Sequence, residues 1–460
     1  MVIDGHVRRL GDDALVGGWP TRLLRLAPAA RDMVNGGRLV VVDRSSALVA
    51  RRLLDTGIAN PRPRGAVHQE ADVTVIVPVR DRAAMLRRLL VSLSGGPPVI
   101  VVDDGSAAWR ETESVAREHG ARFMRHPNPR GPGAARNTGL AMVDTPLVAF
   151  IDSDCVASSH WLRSLLPHFD DPAVALVAPR IVALDVPHPH SRDVAAYERA
   201  RSSLDLGPQE ALVCSHGRLS WVPSAAMIAR RAAIGAGFAE DMRVGEDVDL
   251  VWRLQEAGWQ VRYEPSSLVE HEHRSSYRTW GMRKVHYGTS AAVLGRRHGR
   301  RVAPVVLSPW AALTWSLLLV QRRRTSLLAP VVVGGIGLAL GLRLPSGAGH
   351  NRLVVSLLAK GFSSSGLQVA SGLVRAWWPV TAAACLVCRS ARRAVLVAAV
   401  VDALTDWVRH GRPMGMLSYA LLRRADDIAY GTGLWLGVLR EGSIRSLLPD
   451  FGLGRRQARC

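Results

Sequence analysis

The chain has almost no lysine. Lys284 and Lys360 are the only two among 460 residues, yet the net formal charge is +20, so arginine carries nearly all the positive charge. Arginine grips phosphate oxygens through a planar fork of donors, although a GC-rich genome also raises its count. Cysteine is scarce as well. Cys155, Cys214, Cys385, Cys388 and Cys460 are odd in number and scattered, which argues against a disulfide framework and for a reducing compartment. Cys385 and Cys388 form a lone C-x-x-C in an apolar stretch, with no partner pair and no βαβ unit beside it, and read as packed thiols. No zinc-finger spacing and no aromatic-basic platform accompanies the arginines, so nucleic acid is not the expected partner. An anionic membrane surface or a pyrophosphate-bearing substrate accounts for the charge equally well. The first residues lack a basic-then-apolar signal pattern, so a cytoplasmic location is expected.

Three regions follow from the patterning: residues 1–63, 72–300 and 301–460. The first has strand-like pieces at 6–10 and 14–17 and an apolar-periodic helix over 23–34. A break at Gly36-Gly37, a strand at 39–42 and a helix capped by Ser45-Ser46, with Leu48, Leu53 and Leu54 on one face, come next. Asn60-Pro61-Arg62-Pro63 is a linker. The second region alternates strand and helix. Val73–Val79 and 99–102 are β-branched runs suited to strands buried on both faces. Asp81 can cap a helix carrying Leu86, Leu89, Leu90 and Leu93 on one face. Helices near 107–119 and 133–143 and strands at 122–125 and Leu147–Ile151 complete a βαβαβαβ order, which predicts an α/β fold with a parallel, doubly wound sheet. Ligands of such sheets bind at the carboxyl ends of the strands. The third region is apolar. Residues 302–320 and 325–342 contain no charge, each near the lower limit of the about 17–25 residues that span a bilayer. A hairpin of the two would place Arg322–Arg324 on the far side, against the positive-inside bias. Surface-lying helices avoid that conflict, as does burial against the second region. Membrane contact without clean spans is expected. Residues 376–388 are too few to span.

The chemistry gathers at strand ends. Asp152-Ser153-Asp154 follows Leu147–Ile151, and two carboxylates so close suit a hard divalent ion, Mg²⁺ or Mn²⁺, with positions left for diphosphate oxygens. Surface turns also produce D-x-D, so the strand in front of it carries the argument. Asp103-Asp104-Gly105-Ser106 repeats the design one strand earlier: a strand-end carboxylate can accept the imide N–H of uracil, while Asp104 and Ser106 can equally serve a turn and a helix cap. Gly131-Pro132-Gly133 opens a helix whose free N–H groups suit an anion, with Arg136 beside them. It lacks the G-K-[S/T] ending of the ATPase loop. Gly245-Glu246-Asp247 starts another helix. Acids there often only stabilise the dipole; as chemistry, Asp247 is the candidate base for an acceptor hydroxyl, with Glu246 in support. His271 and His273 share one face of an extended segment after 260–263 and a Pro265 turn, and either can complete a metal shell. Arg274 and Arg278 are phosphate candidates, and Lys284 and His286 weaker ones.

Over 72–300 these features resemble the GT-A fold of glycosyltransferase family 2: the strand running into Pro78-Val79-Arg80, the Asp103 turn, Ala135-Arg136-Asn137, the D-x-D and Glu246-Asp247, in that order. The resemblance implies an inverting, metal-dependent transfer of a hexose. Pro78, Arg80, Asp103, Asp104, Arg136, Asn137, Asp152 and Ser153 would bind the nucleotide sugar. Asp152, Asp154, His271 and His273 would serve the metal, and Asp247 with Glu246 the acceptor. The Q-x-x-R-W of processive synthases is absent after Asp247, which disfavours a polymerase with a channel. Residues 1–63 resemble the winged-helix, PqqD-like elements of peptide-modifying pathways, and are otherwise a structural cap. With that unit in front and an apolar, arginine-rich tail behind, the whole chain resembles the family members of actinobacterial mycofactocin systems. That implies UDP-glucose as donor, a peptide-derived small molecule as acceptor, a short β-linked oligosaccharide as product and a site at the inner membrane face. The competing expectations are a transferase of envelope glycan or glycolipid, a non-catalytic scaffold of the same fold, and a nucleotidyltransferase, which would need a G-x-G-[T/S]-R loop that residues 78–81 do not supply.

Overall fold

Runs of β-branched residues buried on both faces build the centre of the molecule. The computed structural model describes residues 1–63, 65–185, 192–215, 217–273, 276–344 and 350–452; Arg274 and Cys460 lie outside them. Nine strands form one sheet. Leu147–Ile151, Val73–Val79, Val99–Asp104 and Arg122–His126 lie side by side and parallel. The expected parallel sheet stops there. Ala226–Arg230 pairs antiparallel with Leu147–Ile151, residue for residue from Ala226 opposite Ile151, and antiparallel with Val174–Ala183 on its other side. Gln260–His271, Cys155–Ala157 and Ala211–Val213 complete a mixed sheet. The antiparallel entry matters for function, because it carries Ser224 and Ala225 to the carboxyl edge where Asp152 begins; the Asp152 N–H donates to the Ala225 carbonyl at 2.9 Å. Helices cover both faces, with Leu86, Leu89 and Leu90 of Ala83–Ser92 on one side and Leu250, Val251 and Leu254 of Glu246–Glu256 on the other.

Several local expectations are corrected. The helix expected over 23–34 is a strand, Arg22–Arg25, followed by a short helix, Pro28–Met33. The strand is drawn out by pairing with Ala14–Gly17, and Pro28 fits only the helix's first turn. Residues 39–42 form no strand, the pairing there being a single bridge of Val2 to Arg38. Asp43, not Ser45-Ser46, caps Arg44–Asp55, with Ser46 returning the capping box. Asp81 does not cap Ala83–Ser92; its carboxylate accepts from the Ala107 N–H at 2.8 Å. Pro265 makes no turn out of the sheet: Gln260–His271 runs through it, past an irregularity in register between Pro179 and Arg180 of the neighbouring strand.

The first sixty residues are a three-stranded antiparallel sheet, two helices and a short pair, Val2–Ile3 with Ala59–Asn60, around a core of Leu15, Val34, Leu39, Leu53 and Ile58. They dock on the large sheet through Arg51 to Asp171 at 2.6 Å and Gln260 to Asp55 at 2.5 Å.

The last third is helical. Tyr277–His298 and Met416–Glu441 pack against each other through glycines: a Cβ on Gly288 or Gly433 would fall on a backbone carbonyl of the partner helix. Arg323–Arg343 and His350–Ala376 are long and apolar enough to cross a membrane by length and composition. The uncharged 302–320 stretch is not one span. Its helix is only Pro309–Leu319, 11 residues, and Val305 and Leu307 are buried against Val369 instead.

Candidate active site

A cavity of about 920 Å³ opens over the carboxyl edge of the parallel strands. Pro78 and Arg80 line it from one strand end, Asp152, Ser153 and Asp154 from the next, and Glu246 and Asp247 from the start of the helix opposite. Asp103 lies at the edge, fully buried, and is not itself in the lining. Its Oδ2 accepts from the Ser106 N–H at 3.2 Å and stands 3.8 Å from Arg125, while its Oδ1 has no hydrogen-bond partner. A buried acceptor without a donor is costly, and a ligand N–H would relieve it.

Asp104 and Asn137 make structural contacts of their own. Asp104 accepts from the backbone N–H groups of Arg130 and Gly131, each at 2.8 Å, and pairs with His126 at 2.8 Å. It thus pins the glycine turn and borders the cavity. Asn137 is absent from the lining. It accepts from the Phe238 N–H at 2.8 Å and donates to the Phe238 carbonyl at 2.9 Å, which holds the opposite loop in place.

Arg136 is the hub of the acidic groups. Buried beside Phe238, it donates to Asp152 at 2.6 Å and to Glu246 at 2.8 Å. Burial works against its charge, but Asp152 and Glu246 outweigh it and raise its pKa. Asp247 is in the opposite position. Burial and the neighbouring charge of Glu246 push its carboxyl up to about 7. Its Oδ2 accepts from the Ser224 N–H at 3.2 Å and its Oδ1 from the Val248 N–H at 2.8 Å, so its orientation is fixed. Gly245 makes the turn in front of it at φ 83°, with Ser290 too close for a Cβ.

The four residues expected around a metal do not converge. Among the described residues, no three His, Cys, Asp or Glu side chains gather into a metal-binding group. Asp152 turns to Arg136. Asp154 pairs with Arg82 and has its Oδ1 3.4 Å from His271 Nε2; that oxygen is buried without a hydrogen-bond partner. Although burial opposes its charge, His271 and Arg82 hold the Asp154 carboxyl well below the usual range. The His273 ring centroid is 5.1 Å from that of His271, and burial plus the His271 charge lower its pKa to about 3. Arg278 is exposed and outside the lining, whereas Lys284, paired with Glu198 at 2.7 Å, and His286 both line the cavity.

Sequence reasoning missed the far wall. Arg283, Tyr287, Arg375, Asp426 and Tyr430 line the cavity from the helical third. Arg283 Nε donates to Tyr287 Oη at 2.5 Å across one helical turn; the i, i+4 spacing was the one local signal available.

Residues 74–225 match the family model described as glycosyl transferase family 2. Over 98% of its length the chain is 48% identical to the pre-mycofactocin glycosyltransferase of Mycobacterium tuberculosis, covering 97% of that protein. The chain belongs to glycosyl transferase family 2. This family 2 glycosyltransferase is also 26% identical, over 49% of its length, to the succinoglycan biosynthesis protein ExoU of Rhizobium meliloti, covering 70% of it. Among solved structures, the mannosyltransferase PcManGT from Pyrobaculum calidifontis, in complex with GDP-Man and Mn²⁺, matches 78% of this chain and 90% of its own at TM-score 0.41 and 16% identity. The scaffold expectation falls with the family: the chain is an enzyme.

Proposed function

We propose that this glycosyltransferase moves glucose from UDP-glucose onto pre-mycofactocin, the molecule named for its Mycobacterium tuberculosis relative, by one inverting displacement, and extends the product into a short β-linked oligosaccharide. Asp103 Oδ1, a buried acceptor lacking a donor, suits the imide N–H of uracil. Pro78, Arg80, Asp152 and Ser153 carry the rest of the donor along the cavity wall. A divalent cation, Mg²⁺ or Mn²⁺, fits beside Asp154, whose unpartnered Oδ1 faces His271 Nε2 at 3.4 Å. Asp154, with His271 beside it, would hold the ion together with the oxygens of the donor's diphosphate. Once bound, the cation supplies neutralisation of charge on the departing diphosphate. Arg136 stays protonated and holds Asp152 and Glu246 in fixed orientation. Asp247, oriented by two backbone N–H groups, takes the proton from the acceptor hydroxyl as the new bond forms. In this reading residues 1–63 serve as the recognition or capping unit, 72–300 as the transfer domain and 301–460 as a helical region that meets the cytoplasmic face of the membrane.

The observation that carries the proposal is Asp247: a carboxyl on the cavity wall whose pKa, about 7, matches base catalysis at neutral pH. Incubation of the full chain with UDP-glucose, Mn²⁺ and pre-mycofactocin should yield products heavier by hexose increments in mass spectra, and Asp247→Asn should lower the rate by about 10²–10⁴-fold. Absence of any hexose increment sinks the substrate reading. An unimpaired Asp247→Asn removes the base.

A further inference from the structure

The cavity is too large for the strand-end machinery alone, and its other end is built by elements that no donor contact needs. At about 920 Å³ it lies near the top of the about 300–1,000 Å³ usual for small-molecule sites, which leaves room beyond a nucleotide sugar. None of the described residues of 1–72 lines it; the far wall comes from Tyr277–His298, Gly372–Ala376 and Met416–Glu441. Three observations mark that wall as a built surface. Gly372–Ala376 is a π-helical turn, a costly local conformation that recurs at functional sites. Gly431 lies so close beneath it that a Cβ would strike the Arg375 carbonyl, and this closeness seats Arg375 over the Tyr430 ring at 3.9 Å. Next to them Asp426, 1% exposed, lines the cavity, and its Oδ1 has no hydrogen-bond partner. Its Oδ2 is taken by Arg201 at 3.0 Å and Tyr197 at 3.1 Å, whereas the cation facing Oδ1, Arg375, is 3.9 Å away, beyond hydrogen-bond reach.

A buried carboxylate oxygen left open beside a cavity calls for a donor. We infer that the far wall is the acceptor subsite and that Asp426 Oδ1 accepts a hydrogen bond there from a hydroxyl or amide N–H of the acceptor molecule, while the Arg375–Tyr430 stack bounds it on one side. The chemical class is an acceptor that presents a hydroxyl or N–H donor to Asp426 Oδ1. The acceptor contacts at this wall thus come from the helices, whatever residues 1–63 contribute elsewhere. The inference rests on the transferase reading above, though not on the identity of the acceptor.

The test compares transfer of glucose to pre-mycofactocin with acceptor-independent release of UDP from UDP-glucose, both measured on the full chain. In Asp426→Asn the ratio of transfer to release should fall about tenfold, through a raised acceptor KM, and Asp426→Glu should restore part of it. A merely structural lesion lowers both rates together, so an unchanged ratio overturns the proposal. If Asp426→Asn does not fold, Tyr430→Ala, which leaves the ion pairs of Asp426 in place, is read in the same way. Wild-type protein that releases UDP but leaves pre-mycofactocin unmodified refutes that acceptor alone. The subsite is then decided in a pathway extract by mass: hexose adducts that persist undiminished in Asp426→Asn overturn it.

Discussion

At the scale of single residues the site is a contest between burial and charge, and Arg136 divides it. Glu246 and Asp152 are both paired with one guanidinium, while Asp247, next in sequence to Glu246, accepts from two backbone N–H groups and, among the described residues, has no cation within hydrogen-bond reach. That difference separates a supporting carboxylate from one that changes protonation near neutrality. Since the folded value of Asp247 is raised to about 7 from 3.8, the native state binds a proton more tightly than the unfolded chain between about pH 4 and 7. Stability therefore falls as pH rises through that window, and the cost of the buried charge is complete above 7. Activity runs the other way, because the base works only when deprotonated. We expect kcat/KM to drop tenfold per pH unit below an apparent pKa near 7, and Asp247→Asn to gain more in Tm relative to wild type at pH 8 than at pH 5. A flat profile between pH 5.5 and 8, together with equal Tm shifts at both pH values, contradicts the assignment. The residues at strand ends were legible in sequence because a buried strand has only one way to present a following acid. The hydrogen-bond partners of Asp104 and Asn137 were not, since they are brought in from other elements, His126 with residues 130–131, and Phe238.

At the scale of elements, the buried apolar strands were read correctly, whereas helix caps and strands that depend on pairing were not. Val73–Val79 and Leu147–Ile151 have the bounds that their β-branched runs announce. The second strand extends past its apolar run to Asp104 only because Asp103 and Asp104 pair with Arg125 and His126. Arg22–Arg25 has helical periodicity on paper and becomes a strand because Ala14–Gly17 offers it a ladder. Ala226–Arg230, the strand that makes the sheet mixed, is set by neighbours on both sides. Glycine is similarly silent in sequence, although its placement decides helix packing. Gly433 lies against the Val285 carbonyl, whereas Gly334 on Arg323–Arg343 has nothing within 4 Å of an added Cβ. Gly433→Ala should therefore destabilise by about 1–3 kcal/mol through overpacking. Gly334→Ala should stabilise by up to about 1 kcal/mol through helix propensity. Thermal unfolding of the two variants beside wild type checks the pair, and a Gly433→Ala protein as stable as wild type would refute the tight helix contact.

At the scale of the whole molecule, charge and apolar surface separate along the chain in a way that bears on where the enzyme works. Between Glu272 and Asp402 the sequence has no acidic residue at all. Within that stretch Arg323–Arg343 is only 6% buried over its apolar window, and Leu327, Leu328, Val331, Leu338 and Leu342 are exposed. Arg322–Arg324 and Arg389, Arg392 and Arg393 are exposed too, and a hydrogen bond from Gln321 to the Ser390 carbonyl at 2.7 Å brings these two arginine groups to the same end of the helices. An apolar face next to an unpaired cationic cluster suits the headgroup boundary of an anionic bilayer: the face gains by burial and each arginine near the surface adds about 1 kcal/mol. Electrostatic attraction of this kind is screened within a Debye length of about 8 Å at physiological salt, whereas apolar insertion is not. The full chain should therefore co-sediment with vesicles containing phosphatidylserine or phosphatidylglycerol more than with neutral phosphatidylcholine vesicles. Replacing all six arginines by glutamine should lower that preference, and 0.5 M NaCl should reduce it without abolishing binding. Loss of binding in salt would leave only a surface charge effect. Equal binding to neutral vesicles with the arginines removed would assign the attachment to the apolar helices alone.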